Sequence, residues 1–326
     1  MANFKNFKAS GSVFALCLLA GTVFGEPSSA PETPDAQRIT LPQAVILGTI
    51  EGLTEYLPVS STGHLILAAD AMHLGGFAHG KNGEPVKGPL GPIMEPKPAV
   101  NAFNIVIQIG AIFAVVGIYF KRIVEMFQGL IGRNEKGRKL LINLIAAFMP
   151  SAVVGLLLAG PIEKYLFSPL TVAIALAVGG AVMIWMSKHY HRKEKHIGDV
   201  HDVTIRSALI IGLVQCLAMW PGTSRSMVTI LTGLGVGLSM VASAEFSFLL
   251  ALPTLTAATL YKTVSQWNAL TTSVGFDSLI LGIVISAVVA AISVRFLIHH
   301  LTRHGLAPFG VYRIALAIGV IYYFAH

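Results

Sequence analysis

Charge is scarce in this sequence. Asp, Glu, Lys and Arg make up 12% of its 326 residues, against about 25% in soluble domains. Cysteine is rarer still. Cys17 and Cys216 each lie in an apolar segment, so there is neither a disulfide framework nor a zinc-ligand spacing. Acidic side chains are also few, 16 against 23 basic ones, which gives a formal net charge of +7. Those basic residues fall in loops between apolar runs, where orientation across a membrane accounts for them without nucleic acid. What the chain has in quantity is apolar residues, 54% of the total, with a mean hydropathy of +0.70. They recur in runs along the whole length. The class predicted is an all-α, polytopic membrane bundle.

Residues 1–30 read as a signal peptide, with Lys5 and Lys8 before an apolar stretch from Val13 to Phe24. Gly25 or Ala30 supplies a small residue for cleavage; the other reading is an uncleaved first transmembrane helix. Residues 31–40 form a linker, and 41–326 form the membrane domain. Within it, uninterrupted spans are expected near 102–120, 140–160, 169–186, 243–262, 277–297 and 307–325, and a surface loop over 71–100. The loops around 121–139, 188–206 and 298–305 carry most of the Lys and Arg and are assigned to the cytoplasm. His189, His191, His196 and His201 fall in one basic loop and His299, His300 and His304 in another.

Two further segments, about 41–70 and 207–235, are apolar but broken by Pro58 and Pro221. Proline forbids a regular helical continuation and restricts the residue before it. The charge rule is satisfied if both segments return to the side they came from, the first from outside and the second from the cytoplasm. The topology is then six transmembrane helices plus two re-entrant hairpins, with the mature ends outside. Residues 46–65 align with 210–229, pairing Gly48 with Gly212, Tyr56 with Trp220, Ser60 with Ser224 and Thr62 with Ser226. Glu51 meets Gln215, and Ser61 meets Arg225. Similar broken helices entering from opposite faces mark inverted repeats, here about 41–187 and 207–326, which set a site near the midplane.

The chemistry concentrates at these breaks. Glu51 and Glu55 lie four residues apart, on one helical face, and carboxylates in a membrane segment point to function. They suit a hard divalent cation, Mg2+ or Ca2+. Ser60, Ser61 and Thr62 follow Pro58 at the start of a second helix, whose free N–H groups favour an anion. His64 is close enough in sequence to serve proton transfer. In the second segment, Ser224, Arg225 and Ser226 set a permanently charged fork between two hydroxyls, a combination suited to phosphate. A snorkelling arginine or a structural ion pair explains the charge but not the flanking serines. The whole set matches phosphoryl transfer, in which positioning and charge stabilisation do most of the work.

At EGLTEYLPVSSTGHL and PGTSRS the sequence resembles the undecaprenyl-diphosphate phosphatase family, membrane enzymes linked to bacitracin resistance. The likeness runs from about residue 41 to the C-terminus and includes AFNIVIQIGAIFAVV. It implies hydrolysis of undecaprenyl diphosphate to the monophosphate carrier for peptidoglycan synthesis, at a bacterial inner membrane. The active site then faces the periplasm, bacitracin competes for the lipid, and a homodimer is admitted. The family's roles carry over to Glu51 and Glu55 as metal-associated acids and Ser61 as nucleophile. Thr62 and Ser60 stand beside it, His64 handles protons, and Ser224, Arg225 and Ser226 bind phosphate. Three departures stand out: the N-terminal extension, Met227 where a small residue is common, and Asn104 where a glutamate is common. The other membrane lipid-phosphatase superfamily is excluded, because no RP dipeptide occurs and no histidine follows Arg225 at its spacing. An inverted-repeat transporter or lipid flippase using the midplane acids is the alternative.

Overall fold

In the computed structural model, residues 39–74, 87–88, 91–92, 98–190, 197–265, 267 and 274–325 are described; the signal-peptide reading and most of the 71–100 loop lie outside them. The described chain is helical apart from a two-residue antiparallel pairing of β1 (Lys87–Gly88) with β2 (Gly91–Pro92) and an isolated bridge between Ile197 and Leu238. Among the described residues six helices are long and apolar enough to cross a membrane: α3 (Pro98–Ile118), α5 (Glu135–Leu166), α6 (Pro169–Tyr190), α9 (Met240–Ser265), α10 (Phe276–His304) and α11 (Ala307–Ala325). At 1.5 Å per residue the 21 residues of α3 span about 31 Å, the thickness of a bilayer core. All six expected spans are present, and most extend a few residues beyond the apolar run.

Five shorter helices accompany them among the described residues. α1 (Leu41–Thr54) and α2 (Ser61–Ala71) form the first broken segment; α7 (Ile205–Gln215) and α8 (Arg225–Gly235) form the second. Each covers about 16–21 Å, too short to cross alone. α4 (Phe120–Leu130) occupies part of what reads in the sequence as a cytoplasmic loop. Its Arg122 bonds Glu245 Oε1 of α9 at 2.8 Å and Glu125 Oε2 at 3.3 Å, so charged residues there tie helices together. His299, His300 and His304 lie in the closing turns of α10 and not in a loop, which ends where Gly305 takes φ 67°.

Local chemistry explains where these helices begin. Thr40 and Gln43 form a reciprocal capping box at α1, and Asn134 and Thr204 cap α5 and α7 through their side chains, each satisfying an orphan N–H. Packing follows a matched pattern. α1 lies along α10, α7 lies along α5, and α3 meets α9 while α6 meets α11. The aligned glycines Gly48 and Gly212 sit at the first two crossings. A Cβ on Gly48 would come within 2.7 Å of the Gly282 carbonyl oxygen, and one on Gly212 would strike the Ala147 carbonyl. Only glycine permits such close backbone approach.

The largest apolar cluster surrounds both breaks, drawing on Tyr56, Val59, Val228, Phe248, Val294 and Phe309. Outward, large apolar side chains are bare: Leu156 is 75% exposed and Phe276 73%. Leucine and phenylalanine at that exposure suit lipid as the solvent. The chain is a multi-pass membrane protein.

Candidate active site

Both breaks use the same local device. α1 ends at Thr54, and Glu55 to Val59 turn through Pro58 to Ser60. The 3-10 turn Cys216–Met219 follows α7 and leads through Pro221 to Ser224. Ser60 has φ 74° and Ser224 φ 72°, a region that non-glycine residues avoid at a cost of about 1–3 kcal/mol. Each is the N-cap of the following helix. Ser60 Oγ accepts from the Gly63 N–H and Ser224 Oγ from the Met227 N–H. Strain at two equivalent serines, held by caps and flanking contacts, is the kind found at ligand sites.

These turns meet. Ser226 Oγ of α8 donates to the Leu57 carbonyl of the first break at 2.9 Å and lies 3.0 Å from Ser224 Oγ. Arg225 Nη2 donates to Glu55 Oε1 at 3.1 Å, and Nη1 to the Ser247 carbonyl at 3.1 Å. Ser61 Oγ donates to the other oxygen of Glu55 at 2.6 Å. One carboxylate therefore holds a hydroxyl and a guanidinium together, across 170 residues of sequence. Glu55 and Arg225 are 6% and 10% exposed at their side chains, so their attraction acts with little screening. Arg225 Nε–H has no acceptor among the described residues, and the guanidinium carbon sits 5.8 Å from the Tyr56 ring centre.

The pair opens on a cavity of about 480 Å³. Glu55, Ser60, Ser61, Thr62, Ser224 and Arg225 line it, together with Gln108, Ser151 and Gln215. Its remaining wall is apolar, including Phe148, Leu156, Met219 and Leu255, with Lys262 also contributing. A polar, charged floor beneath an apolar wall accommodates an amphiphile with an anionic head.

Three residues expected at the site are not among those lining the cavity. Ser226 is fully buried, joining the breaks. His64 faces α11: its Nδ1 lies 2.7 Å from the Ser60 carbonyl and its Nε2 2.6 Å from Tyr312 Oη. A carbonyl only accepts, so Nδ1 carries a proton and donates to Ser60, while Nε2 pairs with the Tyr312 hydroxyl. Glu51 is completely buried, and neither of its oxygens has a hydrogen-bond partner among the described residues.

Among the described residues no three His, Cys, Asp or Glu side chains group to hold a metal by themselves. Glu51 nevertheless presents two unused carboxylate oxygens, and Gln215 Oε1 is likewise without a partner. Buried oxygens without donors fit a hard divalent cation that draws further ligands from a phosphate.

Tyr312 and Arg313 do not emerge from reading the motifs. Arg313 is 0% exposed. It donates to the carbonyls of Leu176, Ala175, Pro58 and Gly222 at 2.8–3.3 Å. A lone arginine inside the apolar run 307–325 was the available signal.

The chain is similar to known proteins over most of its length. A family described as bacitracin resistance protein BacA matches residues 44–319. The undecaprenyl-diphosphatase of Sorangium cellulosum is 44% identical over 281 residues, covering 86% of this chain and 85% of the relative. Those of Pseudomonas syringae and Ectopseudomonas mendocina are each 42% identical, covering 86% of this chain and 93% and 92% of their own.

Proposed function

The chain belongs to the bacitracin resistance protein BacA family, and from that membership we propose that it is a phosphatase of undecaprenyl diphosphate. It removes the terminal phosphate and leaves the monophosphate lipid. The observation that carries this reading is the Ser61–Glu55–Arg225 chain of bonds on the floor of a cavity with an apolar wall. A carboxylate oxygen 2.6 Å from a serine hydroxyl is a general base in reach of its nucleophile. Cation coupling in a transporter has no use for that pair.

Ser61 Oγ attacks the terminal phosphorus as its proton passes to Glu55 Oε2. The bond from phosphorus to the bridging oxygen breaks, and the lipid monophosphate departs with the electron pair. Water then attacks the phosphoserine phosphorus, the P–Oγ bond breaks, Ser61 Oγ takes back the proton held by Glu55, and inorganic phosphate leaves carrying both protons of the water. Arg225, released in part from Glu55 as that group protonates, turns its fork to the phosphate oxygens. The Ser60 and Ser224 turns bring the starts of α2 and α8 to the cavity, where the free N–H groups of a helix start favour an anion. Thr62 and Ser224 add hydroxyl donors from the cavity wall. His64, bonded to the Ser60 carbonyl and to Tyr312, holds the first turn in its strained form.

Glu51 and Glu55 would hold a divalent cation, Mg2+ or Ca2+. When bound, it neutralises the phosphate oxygens and offsets the charge developing on them. The two broken helices dip into the bilayer from opposite faces as inverted repeats, consistent with arms too short to cross alone. The cavity faces the periplasm of a bacterial inner membrane, the product sustains peptidoglycan synthesis, and bacitracin competes by sequestering the lipid. A homodimer fits the long exposed apolar faces.

The test is phosphate release from a long-chain polyprenyl diphosphate by detergent-purified protein, with and without divalent cation. Wild type should turn over only with cation, and Arg225→Ala should lose at least about a hundredfold in kcat/KM, as for removal of a charge-stabilising donor. A folded wild type that releases no phosphate would sink the proposal.

A further inference from the structure

Arg313 is fully buried, and among the described residues it forms no ion pair with a carboxylate. Such a group is expensive unless its donors are satisfied, and among the described residues they are satisfied by main-chain oxygens. Those acceptors come from three separate places. Nη1 donates to Pro58 of the first break at 3.2 Å. Nη2 donates to Gly222 of the second break at 2.8 Å and to Ala175 of α6 at 3.0 Å. Nε donates to Leu176 of α6 at 3.3 Å. Pro58 is two residues from the strained Ser60, and Gly222, at φ 91°, is two residues from the strained Ser224. Neither carbonyl has an intrahelical partner to bond, because both helices have already ended.

We propose that Arg313 is a positioning residue that sets the register between the two broken helices. It thereby sets the alignment of Ser61 and Glu55 with Arg225. The guanidinium is planar and rigid, so the two break carbonyls are held at a separation fixed by one functional group. An ammonium on a flexible stem cannot hold both. The only other direct tie between the breaks named above, outside the catalytic pair, is Ser226 Oγ to the Leu57 carbonyl. α11 supplies the clamp from behind and makes no contribution to the cavity wall. Arg313 therefore acts on substrate only through the turns. The prediction is a loss in kcat with binding largely kept, since a misplacement of about 1 Å can cost about a hundredfold in rate.

This rests on the phosphatase reading, so the test pairs turnover with a readout that needs no turnover. Two variants are used. Arg313→Lys keeps the charge and loses the fork. Gly179→Ala keeps Arg313 and pushes a Cβ against its guanidinium and within 2.7 Å of Met227 Sδ. Both are made in the full chain and in a version whose only tryptophan is Trp220, with Trp185 and Trp267 replaced by Phe. Trp220 sits at the second break, its Nε1 donating to the Thr171 carbonyl at 3.2 Å. The expected result is a tenfold to hundredfold fall in kcat, KM within about threefold of wild type, and a Trp220 more open to acrylamide quenching. A general loss of folding would instead lower the active fraction and leave the kcat of the folded molecules unchanged. If Arg313→Lys does not fold, Gly179→Ala decides. Wild-type kcat and unaltered Trp220 quenching in a folded variant overturn the clamp. Should wild type itself release no phosphate, the phosphatase reading fails, and quenching alone still decides whether Arg313 fixes the second turn.

Discussion

Replacing Glu55 by glutamine is the most severe test of the site, because an amide cannot do what this carboxylate does. Glu55 accepts two bonds at once, from Ser61 Oγ at 2.6 Å and from Arg225 Nη2 at 3.1 Å. Glutamine has the same length but offers one oxygen and one NH2 group. If the oxygen faces Ser61, the NH2 opposes a guanidinium; if it faces Arg225, Ser61 has no base. Losing a general base costs about a hundredfold to ten-thousandfold in rate, so a fall of about a thousandfold in kcat is expected, or about 4 kcal/mol. The uncompensated Arg225, 10% exposed, also removes up to about 3–5 kcal/mol of stability, which thermal unfolding in detergent measures separately. Glu55→Asp keeps the charge but falls short by about one C–C bond, so it should satisfy one partner and lose less. The assay is phosphate release at saturating polyprenyl diphosphate, corrected for folded protein. A folded Glu55→Gln within tenfold of wild-type kcat would refute the base assignment.

Three other outcomes follow from the same geometry. Ser61→Ala should abolish turnover, whereas Thr62→Ala, whose hydroxyl lines the cavity without bonding Glu55, should lose no more than about tenfold; equal losses would favour a water nucleophile. Glu51→Gln should remove the response to added Mg2+ or Ca2+, read both by turnover and by cation-dependent thermal shift; an unchanged cation response excludes Glu51 as a ligand. Outside the spans, the His201 N–H bonds Asp199 and, with Arg122 adding to it, holds the Asp199 carboxyl below its ordinary range. A depressed carboxyl stabilises the fold above its unfolded-state pKa and loses that contribution as pH falls through the folded one. The gap in melting temperature between wild type and Asp199→Asn should therefore be present at pH 7 and close on acidification below the ordinary aspartate range. A gap that persisted in strong acid would contradict the pairing.

How much of this was legible beforehand depended on whether a signal was local. The six spans come from hydropathy alone, since a lipid-facing helix must be apolar for its whole length. The breaks come from Pro58 and Pro221, and the serine caps from the preference of hydroxyls for helix starts. The four-residue spacing of Glu51 and Glu55 rightly marks one face. It gives no hint that Glu55 is doubly bonded while Glu51 has no hydrogen-bond partner among the described residues. That difference arises because Arg225, 170 residues away, meets only one of the two. His64 shows the same limit. Nearness to Ser61 in sequence suggests a shared proton, yet one turn of helix carries its ring round to Tyr312, 248 residues on.

Charge in apolar surroundings was the one signal that reached across such distances. It marks Glu51, Glu55 and Arg225, and applied evenly it marks Arg313 as well, the only Lys or Arg in the final span. Arg313 escapes notice because no hydroxyls flank it and no motif contains it. Its acceptors are carbonyls, which every residue has, so no composition or spacing could advertise them. The same cation that looks anomalous in a lone helix becomes intelligible only once two helix breaks, each with unbonded carbonyls, converge on it. A site assembled from two interrupted helices needs a third element to fix their relative placement, and the fully buried arginine of the last helix is the group in this chain with the geometry to do so.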